Sequence, residues 1–232
     1  MKGLVMKRIY FLSLLVFLPQ EVWADEISGN IGITSDYVFR GISQSDEGPA
    51  LQGGIDYSHE SGFYTGLWGS SVDFDDGDEA NLEIDAFVGI NGETRGIAWD
   101  AGAIYYAYPG ADSSLDYDFF ELAVSAGYDF DIAAASVAVN YSPEFFERTG
   151  NAEYYAAYLD VPLPYDLSLN AHMGYQDIEK SDDYNDWSIG LGYTLSGFEF
   201  NVAYHDTDLK EPAECHDGCS QRVVFSLTKR FP

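Results

Sequence analysis

The sequence predicts an all-β chain that closes into a transmembrane, antiparallel up-and-down β-barrel of about twelve strands. Three observations predict it. Apolar and polar residues alternate with a period of two over segments of roughly ten residues. The connections between those segments are alternately short and long. Aromatic residues gather towards both ends of the segments, where a membrane barrel meets its two interfaces.

The first element is an export signal. Lys2, Lys7 and Arg8 form a positive start, Ile9 to Pro19 an apolar stretch, and Val22-Trp23-Ala24 a signal-peptidase pattern. The apolar stretch is about eleven residues, short of the ~20 that a spanning helix needs. Residues 1–24 are therefore expected to be a signal peptide, with Asp25 as the mature N-terminus and 25–232 as one outer-membrane β-barrel.

Composition narrows the function. The chain has 39 acidic against 11 basic residues, a net charge of −28, and no polybasic patch. Nucleic acid is excluded as a partner, since phosphate binding needs clustered Lys and Arg. Anionic lipid recognition through basic segments is unsupported for the same reason. Hydrophobic residues make up 46% and aromatics 16%, too much apolar surface for a disordered acidic chain. No stretch beyond the signal is long and apolar enough for a transmembrane helix.

The strands follow from the alternation. Phe198, Phe200, Val202 and Tyr204 share one face against Glu199, Asn201 and Ala203. Trp187, Ile189, Leu191 and Tyr193 oppose Ser188, Gly190 and Gly192, and Leu167 to Tyr175 repeats the pattern. Continued along the chain, it gives strands over 28–40, 49–58, 62–72, 80–91, 96–108, 116–130, 133–142, 152–161, 165–176, 185–195, 197–207 and 221–231. The even-numbered connections, such as Pro162-Leu163-Pro164 and Leu195-Ser196-Gly197, are short. The odd ones, including 41–48, 109–115 and 208–220, are mostly longer and acidic. Short periplasmic turns and long outer loops are the membrane-barrel arrangement.

The aromatics fit the same orientation. Tyr57, Phe63, Tyr128, Phe130, Tyr193, Phe198 and Phe231 fall near the periplasmic ends of the apolar faces. Tyr37, Phe39, Tyr105, Tyr141, Tyr155, Tyr175, Trp187 and Tyr204 fall near the outer ends. Val223, Phe225, Leu227 and Phe231 alternate to the end of the chain, as in outer-membrane barrels, although Lys229 interrupts the face and Pro232 follows it.

Several segments carry a family resemblance. Ser35-Asp36-Tyr37-Val38-Phe39-Arg40-Gly41-Ile42-Ser43-Gln44 is the most specific. Gly62-Phe63-Tyr64-Thr65-Gly66-Leu67-Trp68-Gly69, Tyr105 to Ala111, Asn140 to Phe146 and His205 to Asp208 accompany it. They resemble the TorF family, small proteobacterial outer-membrane proteins regarded as porins, over essentially the whole exported chain. The resemblance implies a barrel in the outer membrane of a Gram-negative bacterium with a pore function.

The polar face supplies the candidate site. Turned inward, it places Asp36, Arg40, Asp56, Glu83, Asp85, Asp100, Glu121 and Glu199 along the lumen, among Ser28, Asn30, Thr34, Gln52, Asn140, Asn170 and Asn201. Facing lipid at mid-membrane, an Arg would cost ~2–4 kcal/mol and a carboxylate less. This reads as passive diffusion of ions or small polar solutes, with a preference for cations. Twelve strands lie between packed eight-stranded barrels and open porins. Small inner glycines, Gly54, Gly66, Gly102, Gly127, Gly174, Gly190 and Gly192, favour a narrow pore over a plugged lumen.

Other chemistries are weighed against this. Cys215 and Cys219 in an exported chain are expected to form a disulfide rather than a metal site with His216, since structural zinc wants four ligands. His172 or His205-Asp206 would be needed for a hydrolase, but no nucleophile motif accompanies them, and the chain reads as a non-enzyme. The loop acids Asp75, Asp76, Asp78 and Glu79, and Asp177, Glu179, Asp182 and Asp183, lack a calcium-loop spacing and read as a solvated outer face. No cofactor or metal is expected. The expected partners are outer-membrane lipid and lipopolysaccharide, the barrel assembly machinery, and small solutes or ions. A non-conducting structural or surface-interaction barrel is the alternative, followed by an outer-membrane hydrolase.

Overall fold

The computed structural model describes residues 25–74, 80–211, 213–215 and 217–232. Twelve antiparallel strands close into one barrel. They are β1 (Glu26–Thr34), β4 (Ala50–Ser58), β5 (Phe63–Ser71), β6 (Leu82–Thr94), β7 (Ile97–Ala107), β8 (Phe119–Asp129), β9 (Ala134–Ser142), β10 (Ala152–Leu163), β11 (Leu167–Ile178), β12 (Tyr184–Leu195), β13 (Phe198–Thr207) and β14 (Arg222–Phe231). The two remaining strands, β2 (Val38–Phe39) and β3 (Ile42–Ser43), pair with each other. β1 pairs with β4 on one side and with β14 on the other, from Gly29↔Phe231 to Thr34↔Ser226. Closure satisfies every strand edge, which is what lets a sheet cross hydrocarbon.

The apolar faces point outward. Ile31, Ile33, Leu51, Ile55, Leu67, Val88, Leu122, Val124, Ile189 and Phe225 are all exposed on the outer surface. In water this belt would be an aggregation surface; against lipid it is matched to its solvent. Tyr105, Tyr141, Tyr155 and Tyr175 sit exposed near the long-loop ends, and Phe63, Tyr128, Phe130 and Phe198 near the short-turn ends. Lys229 bends back, donating to the Ser196 carbonyl at 2.9 Å with its ammonium 4.6 Å from the Phe198 ring. The chain is a transmembrane β-barrel.

The first strand differs from the expectation of 28–40. β1 ends at Thr34, where the Thr34 hydroxyl donates to the Asp36 carbonyl at 2.7 Å. The chain then turns into the barrel, so Tyr37 and Phe39 face the interior rather than lipid. Arg40 and Gly41, with φ of 47° and 83°, form the two-residue turn between β2 and β3. Two consecutive positive φ values are what a tight hairpin requires. Gly41 is needed there twice over, because a Cβ would also collide with the Thr207 side chain.

The interior is less polar than alternation implies. Tyr64, Phe87, Ile104, Tyr106, Tyr108, Tyr117 and Phe119 form a buried cluster, with Tyr37, Phe39, Phe74, Phe145 and Phe146 packed on it. Tyr106 stacks on Phe119 at 4.2 Å, and Tyr117 on Phe146 at 4.6 Å. Two of the inner glycines, Gly66 and Gly102, accommodate these rings rather than leaving open space. A Cβ on Gly66 would stand 2.5 Å from Phe87, and one on Gly102 2.8 Å from the Tyr64 hydroxyl.

Candidate functional site

The interior divides into two parts. A cavity of about 350 Å³ begins among the short-turn ends of the strands, at Glu26, Ser58, Asn91 and Glu199, and runs up to Asp36, Tyr37, Val38 and Phe39. Its walls mix amides, hydroxyls and carboxylates with apolar and aromatic side chains, among them the half-buried rings of Trp68 and Tyr158. Above it the β2–β3 hairpin lies inside the barrel, packed with Tyr37 against the aromatic cluster of the wall.

Arg40, at the hairpin tip, is the centre of that closure. It is 3% exposed. Its guanidinium donates to Glu121 on β8 and to Gln176 on β11, both at 2.7 Å. Its face lies 4.2 Å from the Tyr154 ring and 4.7 Å from that of Phe39. Glu121 also accepts from Asn140 at 3.0 Å and Tyr106 at 3.3 Å. A planar guanidinium can bond in its plane and stack on both faces, which a lysine cannot do.

The hairpin base is held by Asp36. Its carboxylate accepts from Ser43 at 2.6 Å, Ser45 at 3.1 Å and Arg222 at 2.8 Å. Tyr37 donates to Glu83 at 2.7 Å and meets Trp68 edge-on at 5.5 Å. Tyr108 also donates to Glu83.

The eight charged candidates thus fall into three groups. Asp36, Arg40, Glu83 and Glu121 are joined in the closure. Asp56, Asp85 and Glu199 line the cavity, where Arg230 pairs with Glu199 at 2.9 Å and Asp85 Oδ1 has no hydrogen-bond partner. Asp100 is buried behind the wall, accepting from Tyr64 at 3.0 Å. Sequence reasoning missed Gln176 and Asp186, both on the inward register of their strands and at most 2% exposed. It also missed Asp160, which lines the cavity. Inward alternation was the signal available for all three.

His205 and Asp206 face opposite sides of the wall and do not pair with each other. His205 faces the cavity, while Asp206, the next residue, accepts from the outward Tyr204 at 2.8 Å. His172 lies 3.3 Å from Asp186, and the Tyr154 hydroxyl is 2.8 Å from its other ring nitrogen. Cys215 and Cys219 form a disulfide, so neither offers a thiolate to a metal. The nearby Glu211 carboxylate accepts the backbone N–H groups of Cys219 and Ser220, each at 2.9 Å. Bonding from Ser220, above all, holds it below its ordinary pKa. In the outer loops Glu179 accepts from the Asn151 backbone N–H, tying its loop to the one before β10, and Asp183 accepts from Tyr175 beside its own turn. Asp75, Asp76, Asp78, Glu79 and His216, like residues 1–24, lie outside the described residues.

A family model matches residues 23–231. The chain belongs to the Gcw_chp family, bacterial proteins of unknown function. No curated protein sequence matches this Gcw_chp chain. Among solved structures it is similar to the KdgM porin, with a TM-score of 0.62 and 7% identity over 88% of this chain and 98% of that one. The same porin in complex with disordered oligogalacturonate matches at 0.59 and 7% identity, over 90% and 99%. The NanC porin matches at 0.58 and 9% identity, over 88% and 98%. At such identities the likeness is one of fold, and the fold this Gcw_chp protein shares is that of a porin.

Proposed function

We propose that the protein is a porin-like barrel of the Gram-negative outer membrane, passing ions and small polar solutes passively, with the inward hairpin as its gate. The observation that carries this is the cavity, where polar side chains are interleaved with aromatic rings, ending at the hairpin, at Asp36 to Phe39, rather than at a wall of the barrel. The segment most specific to the TorF resemblance, Ser35 to Gln44, is that same hairpin. With the hairpin seated, the path is closed at Arg40. Export through the signal at 1–24, assembly by the barrel machinery, and contact with lipid and lipopolysaccharide belong to the same reading, as does the lack of a catalytic role.

Cation preference is the finer part of the proposal. Asp56, Asp85 and Asp160 face the cavity, and fields in a confined lumen are screened less than those of outer loops. Glu83 and Glu121, committed to the hairpin, contribute when it withdraws. A polyanion such as the oligogalacturonate seen with KdgM would be repelled by these walls. Liposome swelling in a small neutral sugar tests the pore reading. Swelling faster than in protein-free vesicles is expected. Rates equal to protein-free vesicles, for wild type and for Arg40→Ala alike, would support instead a non-conducting barrel, the reading that the buried Arg40–Glu121 layer favours.

A further inference from the structure

We infer that the disulfide loop between β13 and β14 is a latch on the inward hairpin, so that reducing Cys215–Cys219 loosens the plug. The inference rests on reading the hairpin as a gate, but the latch can be tested without any flux.

Three contacts join the two parts. The first is direct: the Ser43 backbone N–H, in β3, donates at 2.8 Å to the carbonyl of Gly218, a residue inside the disulfide ring. The second runs through Thr207. Its hydroxyl donates to the Cys219 carbonyl at 2.8 Å, and its methyl packs against Gly41 at the hairpin turn. The third runs through Arg222. Its Nε and Nη2 donate to the Ser220 carbonyl at 3.0 and 2.9 Å, while its Nη1 binds Asp36 at 2.8 Å and its Nη2 lies 3.4 Å from Glu47. The strand of the hairpin thus touches the disulfide ring directly, the turn reaches it through Thr207, and the base reaches the adjoining Ser220 through Arg222.

A five-residue ring removes most of the conformations that residues 215–219 would otherwise sample. Opened, the same residues would have to be ordered by Glu211 and by the hairpin contacts themselves. Cys219 is fully buried and Cys215 is partly exposed, so a reductant reaches the bridge at Cys215 Sγ, with Cys219 leaving as thiolate. With a phosphine, the S–S bond breaks, two thiols form, and the phosphine takes oxygen from water to become its oxide. A small dithiol would do the same by exchange, ending as its own cyclic disulfide.

Hydrogen exchange of the full chain in detergent micelles tests this, read by mass spectrometry with and without tris(2-carboxyethyl)phosphine. A Cys215→Ser/Cys219→Ser variant serves as the reagent-free counterpart. Peptides covering residues 37–45 are expected to exchange several-fold faster after reduction and in the variant, while β9 to β11 stay unchanged. Faster exchange confined to 208–221, with 37–45 unaltered in both samples, would overturn the latch. Loosening of 37–45 without any gain in conductance would leave the latch standing and count against the gate.

Discussion

The Arg40 guanidinium lies 2.7 Å from the Glu121 carboxylate inside the barrel, with both side chains 1% exposed, although one residue sits on the inward hairpin and the other on strand β8 of the wall. A hairpin tip is thereby bonded to a strand in a dry layer. Removing one partner of such a pair strands the other, at ~3–5 kcal/mol. Arg40→Ala and Glu121→Ala are each expected to lose about that much, read as a lower midpoint in denaturant or heat-shifted mobility. A double variant is expected to be less destabilised than the sum of the two. Additive losses would show that the pair is not coupled.

The wall is two-faced, and labelling reads it. Ile189 is 52% exposed to the outside, whereas Ser188 lines the cavity. Position 190 is a poor probe because a side chain there would press on Asn170. A water-soluble maleimide should label Ser188→Cys and spare Ile189→Cys in protein embedded in membranes. The opposite pattern would mean that the polar face points outward.

The last outer loop should respond to acid. The Glu211 carboxyl has a depressed pKa in the folded chain. Its contribution is therefore fully present above the ordinary carboxylate range and is lost as pH falls through the depressed value. Proteolysis within 208–221 should speed up in acid for wild type. Glu211→Gln should already be cut faster at neutral pH and show a flatter acid response. Equal pH profiles would remove Glu211 from the loop's support.

Selectivity should follow the carboxylates that remain in the path. In an Arg40→Ala background, the reversal potential in a KCl gradient should lie towards the potassium equilibrium potential. Adding Asp85→Asn and Asp160→Asn should move it towards zero. An unchanged potential would show that these two residues do not set the preference.

Most of the barrel was legible because a period of two is a local signal, carried by each strand without reference to its neighbours. β12 and β13 read cleanly for that reason. The hairpin did not, since Tyr37 and Phe39 continue the alternation of Ile31 and Ile33 across a turn that only the tertiary contacts of Asp36 and Arg40 create. Arg40 was placed inward with the polar face; its partners Glu121 and Gln176 lie 81 and 136 residues away in sequence, beyond any local pattern. The aromatic interior was hidden in pairs such as Tyr105-Tyr106 and Phe119-Phe120, where one ring faces out and its neighbour faces in. The disulfide was readable from the export compartment, but its contact with the hairpin was not.

The central claim is that the hairpin closes a path through the barrel, and single-channel recording in a planar bilayer tests it most directly. Wild-type protein should show rare, brief openings, and Arg40→Ala should show the same cation-carrying pathway open for most of the record. Silence from both proteins, when each is folded and inserted, or an identical open fraction in both, would contradict the account.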